Sequence, residues 1–402
     1  MLLQDIINEI MALMQTGTHK DIKNAQKYWS FNDKMVYVNE MEKYNLLLEK
    51  IYELDKKINN RFYRSTIFKY LNEQLPKIKI QNKPFNYDLE SFFKDFYDVK
   101  PQNLVITAPI SGIRLNNGIR SFELSCFKFG YLKDLEFPIT GETEADGMYI
   151  STIVKNIYDK AEAIQKAKDA FLNFAKMIVF ISGKLDKNIL IETGLPLKPS
   201  LSHEQMYVST SSYQVSNENG PLESAQINNQ FLEKIPVNDP FFCNSRYFKR
   251  LWDFYEKKHN SQKLNDIESR ILNSALALGE SALTTDTRNS IIYTCISLEI
   301  LFSLDDGSLF QKSIGEKLSD VFSFIVAKDV DSRLEIGKLV KKVYGLRSAI
   351  VHGGKKELSS ENLVVNIYMR AAINEILNNE IFSGINKLQD IYDKLKRAQN
   401  SY

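Results

Sequence analysis

The sequence predicts an α+β N-terminal region followed by an all-α helical bundle. Between residues 101 and 238, several segments are rich in β-branched and aromatic residues and are bounded by Gly, Asn or Pro, which is typical of strands. From Asp239 onward, apolar residues recur at helical spacing, which predicts helices joined by short connections. We therefore expect a helical segment over 1–100, an α+β domain over 101–238 and a helical bundle over 239–402.

Individual elements follow from the same periodicities. Residues 2–77 carry apolar side chains at helical spacing and predict helices. Beyond them, strands are predicted at 104–109, 121–129, 148–154, 188–192 and 206–215, and helices at 159–180, 288–304, 313–326, 331–351 and 360–378. The polar stretch 209–229, with Asn-Glu-Asn-Gly near its centre, predicts a mobile loop or a domain linker.

A cluster of aromatic residues at 241–255 opens the bundle region. Aromatic rings of this density could stack on nucleic acid bases. They could equally form the packed core of a helical domain, where large aromatic side chains dominate the buried area. We favour the core interpretation, because the rings recur at helical spacing.

The composition is that of an ordinary globular protein. A chain of 402 residues with 44% hydrophobic and 25% charged residues has room for two or three domains with substantial cores. The net charge of +2 gives no overall indication of a nucleic acid partner. The chain start lacks the basic residues of a signal peptide, and no apolar run approaches the length of a membrane span. We expect a cytoplasmic protein with no membrane partner.

Cysteine and histidine usage argues against disulfide bonds and metal sites. The three cysteines are widely separated and odd in number, which favours a reducing compartment. The four histidines are scattered, and none lies at metal-ligand spacing from another histidine or a cysteine. We expect neither a metal site nor a cofactor.

One stretch gathers side chains suited to chemistry. Residues 344–354 read Tyr-Gly-Leu-Arg-Ser-Ala-Ile-Val-His-Gly-Gly, which predicts the end of a helix stopped by two glycines. Arg347 and His352 then fall near its last turn, where the helix dipole alone favours cations. Alternatively, Arg347 binds a phosphate while His352 moves a proton. Residues five apart on an ideal helix lie about 140° apart, so the two side chains converge only if the helix ends or bends there, or if a second subunit completes the site.

Glu299 interrupts an apolar helical stripe formed by Ile292, Cys295 and Phe302. An unpaired carboxylate would be costly there, so we expect a cationic partner, either Arg347 or His352. The alternative is a partly exposed glutamate at the edge of the helix.

The segment 311–357 has an excess of positive charge. Residues 311–357 contain ten basic and six acidic residues, so this segment carries +4. A solvated helix face explains that excess as readily as an RNA-binding groove does.

Four pieces within 267–354 follow one another in a recognisable order. They are Ser-Arg-Ile-Leu-Asn-Ser-Ala-Leu (269–276), Ile-Ser-Leu-Glu-Ile-Leu-Phe-Ser (296–303), Gly-Glu-Lys-Leu-Ser-Asp (315–320) and Tyr-Gly-Leu-Arg-Ser-Ala-Ile-Val-His-Gly (344–353). This run resembles the Apea-like branch of the HEPN superfamily, whose domains are helical bundles and often dimers. Many are metal-independent endoribonucleases in which Arg-x-x-x-x-His residues from two subunits face each other.

The resemblance implies roles for named residues. Arg347 and His352 would be the catalytic pair, with Glu299 as a supporting catalytic residue. Substrate contacts would come from the neighbouring residues Tyr344, Ser348, Lys355 and Lys356. Ser348 stands where the family motif often has Asn, Asp or His.

The resulting hypothesis is a metal-independent endoribonuclease in which the RNA 2′-hydroxyl attacks the adjacent phosphate. The expected partners are RNA, for which tRNA is one class, a second copy of the chain in a homodimer, and a trigger or protein recognised by the N-terminal region. Phage defence or toxin-like growth arrest is the biological role that the resemblance implies. The alternatives are a non-catalytic HEPN module that binds RNA, nucleotide or a protein, and an assembly scaffold.

Overall fold

The chain forms two compact units in the computed structural model. The first comprises Met1–Ile106 with Ile153–Ala167, and the second comprises Thr107–Thr152 with Lys168–Tyr402. The structure describes residues 3–399 except 33, 83–84, 117, 137–138, 140–146, 184–188, 196, 199–200, 218–219, 305–312 and 354–360. No helix in those ranges is both long and apolar enough to cross a lipid bilayer.

The first unit combines helices with a small sheet. Its elements are α1 (Leu3–Leu13), β1 (Gln15–Gly17), β2 (Lys27–Phe31), β3 (Lys34–Val38), α2 (Met41–Glu53), α3 (Lys56–Asn59), α4 (Arg64–Gln81), α5 (Leu89–Phe92) and α6 (Lys94–Tyr97). The strands are antiparallel in the order β1-β3-β2. The buried faces of α1, α2 and α4 form one apolar core with Val36 and Val38 of β3.

The sheet differs from the helical segment predicted over 1–100. Helical spacing holds for α1, α2 and α4, but residues 15–38 contain three strands. The sequence of β2, Lys-Tyr-Trp-Ser-Phe, alternates between partly buried and exposed side chains, which is the period of a strand. Asn32 follows with φ of 51°, a left-handed conformation that asparagine tolerates in turns. Strands this short carry too few residues for the pattern to stand out among helices.

The second unit begins with a mixed sheet region, whose elements include three that run through both units (β4, β8 and α7). In chain order they are β4 (Gln102–Ser111), β5 (Ile113–Arg114), β6 (Ser121–Leu124), β7 (Phe127–Tyr131), β8 (Met148–Ile157), α7 (Lys160–Ser182), β9 (Glu192–Thr193), β10 (Gln205–Asn217), β11 (Gly220–Glu233) and β12 (Ile235–Pro236). Five strands form one sheet in the order β6-β7-β8-β4-β9. The strands predicted at 104–109 and 148–154 and the helix at 159–180 are confirmed, whereas 121–129 is a hairpin of two strands.

The predicted loop or linker at 209–229 is instead part of a two-stranded ribbon. Strands β10 and β11 pair antiparallel along most of their length, from Gln205 opposite Glu233 to Asn217 opposite Gly220. The sequence prediction failed because these strands are rich in Ser, Asn and Gln and lack the alternation of apolar residues that marks a half-buried strand.

Helices make up the rest of the second unit, as the sequence predicts. They are α8 (Pro240–Cys243), α9 (Lys249–His259), α10 (Asp266–Leu283), α11 (Thr287–Phe302), α12 (Ile314–Val326), α13 (Val330–Val351), α14 (Glu361–Asn378) and α15 (Leu388–Gln399). Capping boxes at Asn265 and Ser313 begin α10 and α12. The four helices predicted between 288 and 378 are confirmed to within two residues at each end.

The aromatic residues of α9 belong to the core of the unit, which confirms the core interpretation for them. Trp252, Phe254 and Tyr255 are each 4% exposed. The Tyr255 ring stacks on Phe127 of β7 with ring centroids 5.6 Å apart. These rings are therefore buried in the unit and are not available for base stacking, whereas Phe241 is exposed.

Buried hydroxyl groups join α10 to α11. The Ser274 and Ser297 hydroxyl oxygens lie 2.7 Å apart, and those of Ser281 and Ser290 lie 3.0 Å apart. In each pair, both hydroxyls also contact the partner's backbone carbonyl oxygen. Because the first pair lies seven residues from the second on both helices, in opposite directions along the chain, α10 and α11 are antiparallel. Small side chains allow this close approach.

Asn366 of α14 completes this network. Its side-chain oxygen accepts from the Thr294 hydroxyl at 2.7 Å, and its side-chain amide donates to Ser281 at 3.2 Å. All three residues are buried, so the loss of one partner leaves others unsatisfied in a place that water does not reach. The network therefore fixes α14 against the α10–α11 pair.

We predict that Thr294→Val lowers the free energy of unfolding by about 1–3 kcal/mol, because it keeps the side-chain shape but leaves Asn366 without its donor. Thr287→Val is the matched control, since Thr287 is exposed on the same helix, and it should change stability by less than about 0.5 kcal/mol. Urea unfolding measures both. Equal effects of the two substitutions would show that the network contributes nothing.

Candidate functional site

The end of α13 is built as the sequence predicts. The helix runs to Val351, and His352 is its C-cap, with a backbone N–H that donates to the Ser348 carbonyl oxygen at 3.1 Å. Gly353 follows with φ of 72°, the left-handed conformation that commonly ends helices and favours glycine. Because the helix stays regular up to Val351, Arg347 and His352 project about 140° apart around its axis.

Glu299 of α11 meets two residues of α13. The Tyr344 hydroxyl donates to Glu299 Oε1 at 2.8 Å. Arg347 Nη2 lies 3.8 Å from the same oxygen, which makes an ion pair longer than a direct hydrogen bond. The side chains of Arg347 and Glu299 are 30% and 29% exposed. Of the two cations predicted to pair with this carboxylate, the structure places Arg347 beside it.

The Tyr344 ring lies at the centre of this group. The guanidinium carbon of Arg347 is 5.8 Å from the ring centroid, within the range of a cation–π contact. A Cβ atom on Gly315 of α12 would lie 3.3 Å from the ring, so the absence of a side chain there lets α12 pack closely on Tyr344. Sequence reasoning did not assign Gly315 a role, although it lies in the piece at 315–320.

Burial and charge set the protonation of the group. Burial raises the pKa of Tyr344 to about 12, and its hydrogen bond to Glu299 is the second cause. Tyr344 is therefore a neutral donor at physiological pH. Burial, followed by the charge of Glu299, also raises the pKa of the Cys295 thiol to about 12. Because a thiol is nucleophilic only when ionised, Cys295 is a packing residue at this site.

Arg347 keeps hydrogen-bonding capacity. Its Nε is buried and has no hydrogen-bond partner in the part of the chain that the structure describes. A buried N–H without a partner is costly, and the guanidinium fork matches the oxygens of a phosphate. With its Nη2 only loosely paired to Glu299, the partly exposed guanidinium is suited to an anionic ligand. We call Glu299, Tyr344 and Arg347 the arginine cluster.

The other predicted site residues lie apart from the arginine cluster. Ser348 and His352 are exposed, and among the described residues His352 has no side-chain hydrogen bond or ion pair. Lys355 and Lys356 lie outside the residues that the structure describes. The described residues also contain no group of three or more His, Cys, Asp or Glu side chains that could hold a metal ion.

We predict that Glu299→Gln lowers the pKa of Tyr344, because it removes the negative charge that opposes phenolate formation. The pKa should stay above the usual value of about 10, since burial is the larger cause of its shift. Carbon NMR of labelled tyrosine rings, assigned with Tyr344→Phe, gives the titration. Glu335→Gln, an exposed change on α13, is the control. An unaltered titration in Glu299→Gln would contradict the hydrogen bond.

No protein-family model matches the chain, and neither the curated proteins nor the solved structures include a similar one. The likeness of 267–354 to HEPN domains therefore stays a prediction from those residues.

Proposed function

We propose that the chain is a metal-independent endoribonuclease of HEPN type. The observation that carries the proposal is the arginine cluster at the end of α13, where Arg347 is held by Glu299 and Tyr344 and keeps donors for an anion. His352, the exposed C-cap of the same helix, supplies a group that gains and loses protons near neutral pH. These side chains match the needs of phosphodiester cleavage.

The reaction is an attack of the RNA 2′-hydroxyl on the adjacent phosphorus. The new bond joins the 2′-oxygen to phosphorus, and the bond from phosphorus to the 5′-oxygen breaks. A base takes the 2′-hydroxyl proton and an acid protonates the leaving 5′-oxygen, which leaves a 2′,3′-cyclic phosphate and a 5′-hydroxyl. His352 is suited to proton transfer. Arg347 is suited to stabilise the extra negative charge on the phosphate oxygens.

A second copy of the chain is part of the proposal. Since Arg347 and His352 project about 140° apart, one helix does not direct both at the same phosphate. In a symmetric dimer, the histidine of one chain can face the arginine of its partner. Two exposed apolar residues are chain neighbours of residues discussed above: Ile314, at 54%, precedes Gly315, and Val351, at 52%, precedes His352. These residues give a second copy apolar surface to bury beside the arginine cluster.

The biological proposal is a cytoplasmic nuclease in phage defence or toxin-like growth arrest. It rests on the joining of a nuclease-like bundle to a large N-terminal region. We propose that residues 101–238, with their mixed sheet and long ribbon, recognise a trigger or protein partner. RNA is the substrate class, and tRNA is one candidate within it.

One observation favours a different function. His352 has no side-chain partner among the described residues that would orient it as a base, whereas Arg347 is held by its neighbours. A module that binds RNA, nucleotide or a protein through Arg347 alone would need no such orientation. The two functions differ in what they require of His352.

We predict that His352→Ala lowers the rate of RNA cleavage about 10²–10⁴-fold, the usual contribution of a general acid or base. Binding to RNA that lacks the attacking 2′-hydroxyl should be unchanged. End-labelled RNA incubated with excess chelator gives the rate. His19→Ala replaces an exposed histidine of the first unit and should cleave as wild type does.

Two further measurements distinguish the nuclease from a binding module and from an assembly scaffold: RNA binding by Arg347→Ala and the mass of the protein in solution. Equal cleavage by wild type and His352→Ala would contradict the role of His352, whereas no cleavage by either, with a loss of binding confined to Arg347→Ala, would indicate a binding module. Light scattering should give twice the chain mass of 46.4 kDa for wild type. If His352→Ala and Arg347→Ala changed this mass but neither RNA cleavage nor RNA binding, residues 344–354 would form an assembly interface.

A further inference from the structure

One face of α13 carries four exposed polar residues in a line. They are Lys338, Lys341, Ser348 and His352, which we call the α13 stripe. At about 100° per residue these positions fall within roughly 80° of one another around the helix. From the first residue to the last there are fourteen steps of about 1.5 Å each, so the stripe spans about 21 Å. The stripe is therefore a straight row that ends at the histidine of the proposed site.

The stripe is positive and uncompensated along the helix. Residues 336–353 contain no Asp or Glu. Within the described part of the chain, the side chains of Lys338 and Lys341 make no hydrogen bond or ion pair. By contrast, other lysines of the same unit are neutralised, as Lys176 is by Glu280 at 2.8 Å and Lys257 by Glu268 at 2.9 Å.

A helix face whose lysines form ion pairs would look different. Surface helices commonly place acidic residues three or four positions from lysines, where the pair stabilises the helix. Lys341 has no acidic residue three or four positions away, and Lys338 has one, Glu335, three positions before it. Among the described residues, the Glu335 carboxylate makes no ion pair with Lys338. The charge is thus left for a ligand outside the chain.

We propose that the α13 stripe binds the sugar–phosphate backbone of single-stranded RNA and leads it to His352. This inference rests on the proposed function and names the path of its substrate. Lysine is a compact point charge that contacts phosphate without reading bases. A row of such contacts positions an RNA strand of any sequence. It places one phosphodiester linkage at the end of the helix, beside His352.

A single strand fits the stripe better than a duplex. Recognition of double-stranded RNA takes contacts across two successive minor grooves, whereas the stripe is one narrow row on a convex helix. Cleavage by the 2′-hydroxyl also requires the attacking and leaving oxygens to lie in line with phosphorus. A flexible strand reaches that geometry, and a stacked A-form duplex holds the two oxygens out of line.

The test measures binding separately from cleavage. The probe is a fluorescent 2′-O-methyl oligonucleotide, which cannot be cleaved by its own 2′-oxygen, titrated by anisotropy at several salt concentrations. Full-length Lys338→Ala/Lys341→Ala is compared with wild type. The matched control is Lys43→Ala/Lys50→Ala, which removes two exposed lysines from α2.

The stripe variant should bind more weakly, and the slope of log affinity against log salt should shrink by about 1.4, or about 0.7 for each lost phosphate contact. The loss should be the same for an oligo-U and an oligo-A probe, because the contacts do not read bases. The control pair should keep the wild-type slope. A duplex probe should bind no more tightly than the single strand.

Several results would contradict the proposal that the α13 stripe binds RNA. They are an unchanged slope in the stripe variant, an equal loss in the control pair, a preference for the duplex, and no binding by wild type at low salt. The proposed function fails separately. If the lysines control binding but His352→Ala cleaves as wild type does, the stripe is confirmed as a binding surface and the proposed cleavage by His352 is wrong. If cleavage depends on His352 but RNA binding is unchanged when the lysines are removed, the nuclease proposal is supported and the stripe proposal is wrong.

Discussion

The half-buried carboxylate of Glu299 is the constraint on which the site depends. It lies among the apolar residues of α11, so it needs donors from a neighbouring helix. Tyr344 supplies a hydroxyl at 2.8 Å and Arg347 a charge at 3.8 Å. These contacts and the buried apolar face of α13, formed by Ile336, Val340, Val343 and Leu346, require the same rotation of the helix about its axis. That rotation decides which face of α13 carries the exposed lysines and His352.

Packing around α11 supports this arrangement. Reciprocal serine contacts hold α10 against α11, and Asn366 ties α14 to both. Gly315 brings α12 onto the Tyr344 ring. The arginine cluster is thus supported on regular helices, which hold a site more accurately than loops do.

Much of the bundle could be predicted from the sequence, because long amphipathic helices repeat the same spacing many times. The sequence also predicted a cationic partner for Glu299 and named Arg347 as one of two candidates, and its alternative of a partly exposed glutamate holds as well, because the side chain is 29% exposed. The strands at 15–38 and the ribbon of β10 and β11 could not be predicted in this way. Short or polar strands show no clear alternation of apolar and polar residues. The Tyr344 hydrogen bond and the role of Gly315 depend on how neighbouring helices pack. The spacing of residues along one helix gives no information about that packing.

The most direct measurement uses a DNA oligonucleotide that carries one ribonucleotide, incubated with the protein and excess chelator. The account predicts a single cut on the 3′ side of the ribonucleotide, with a 2′,3′-cyclic phosphate on one product and a 5′-hydroxyl on the other. Cleavage at deoxynucleotide linkages, a 3′-hydroxyl at the cut or no cut at all would contradict it. The chemistry of the new ends reports directly on which oxygen attacked the phosphorus.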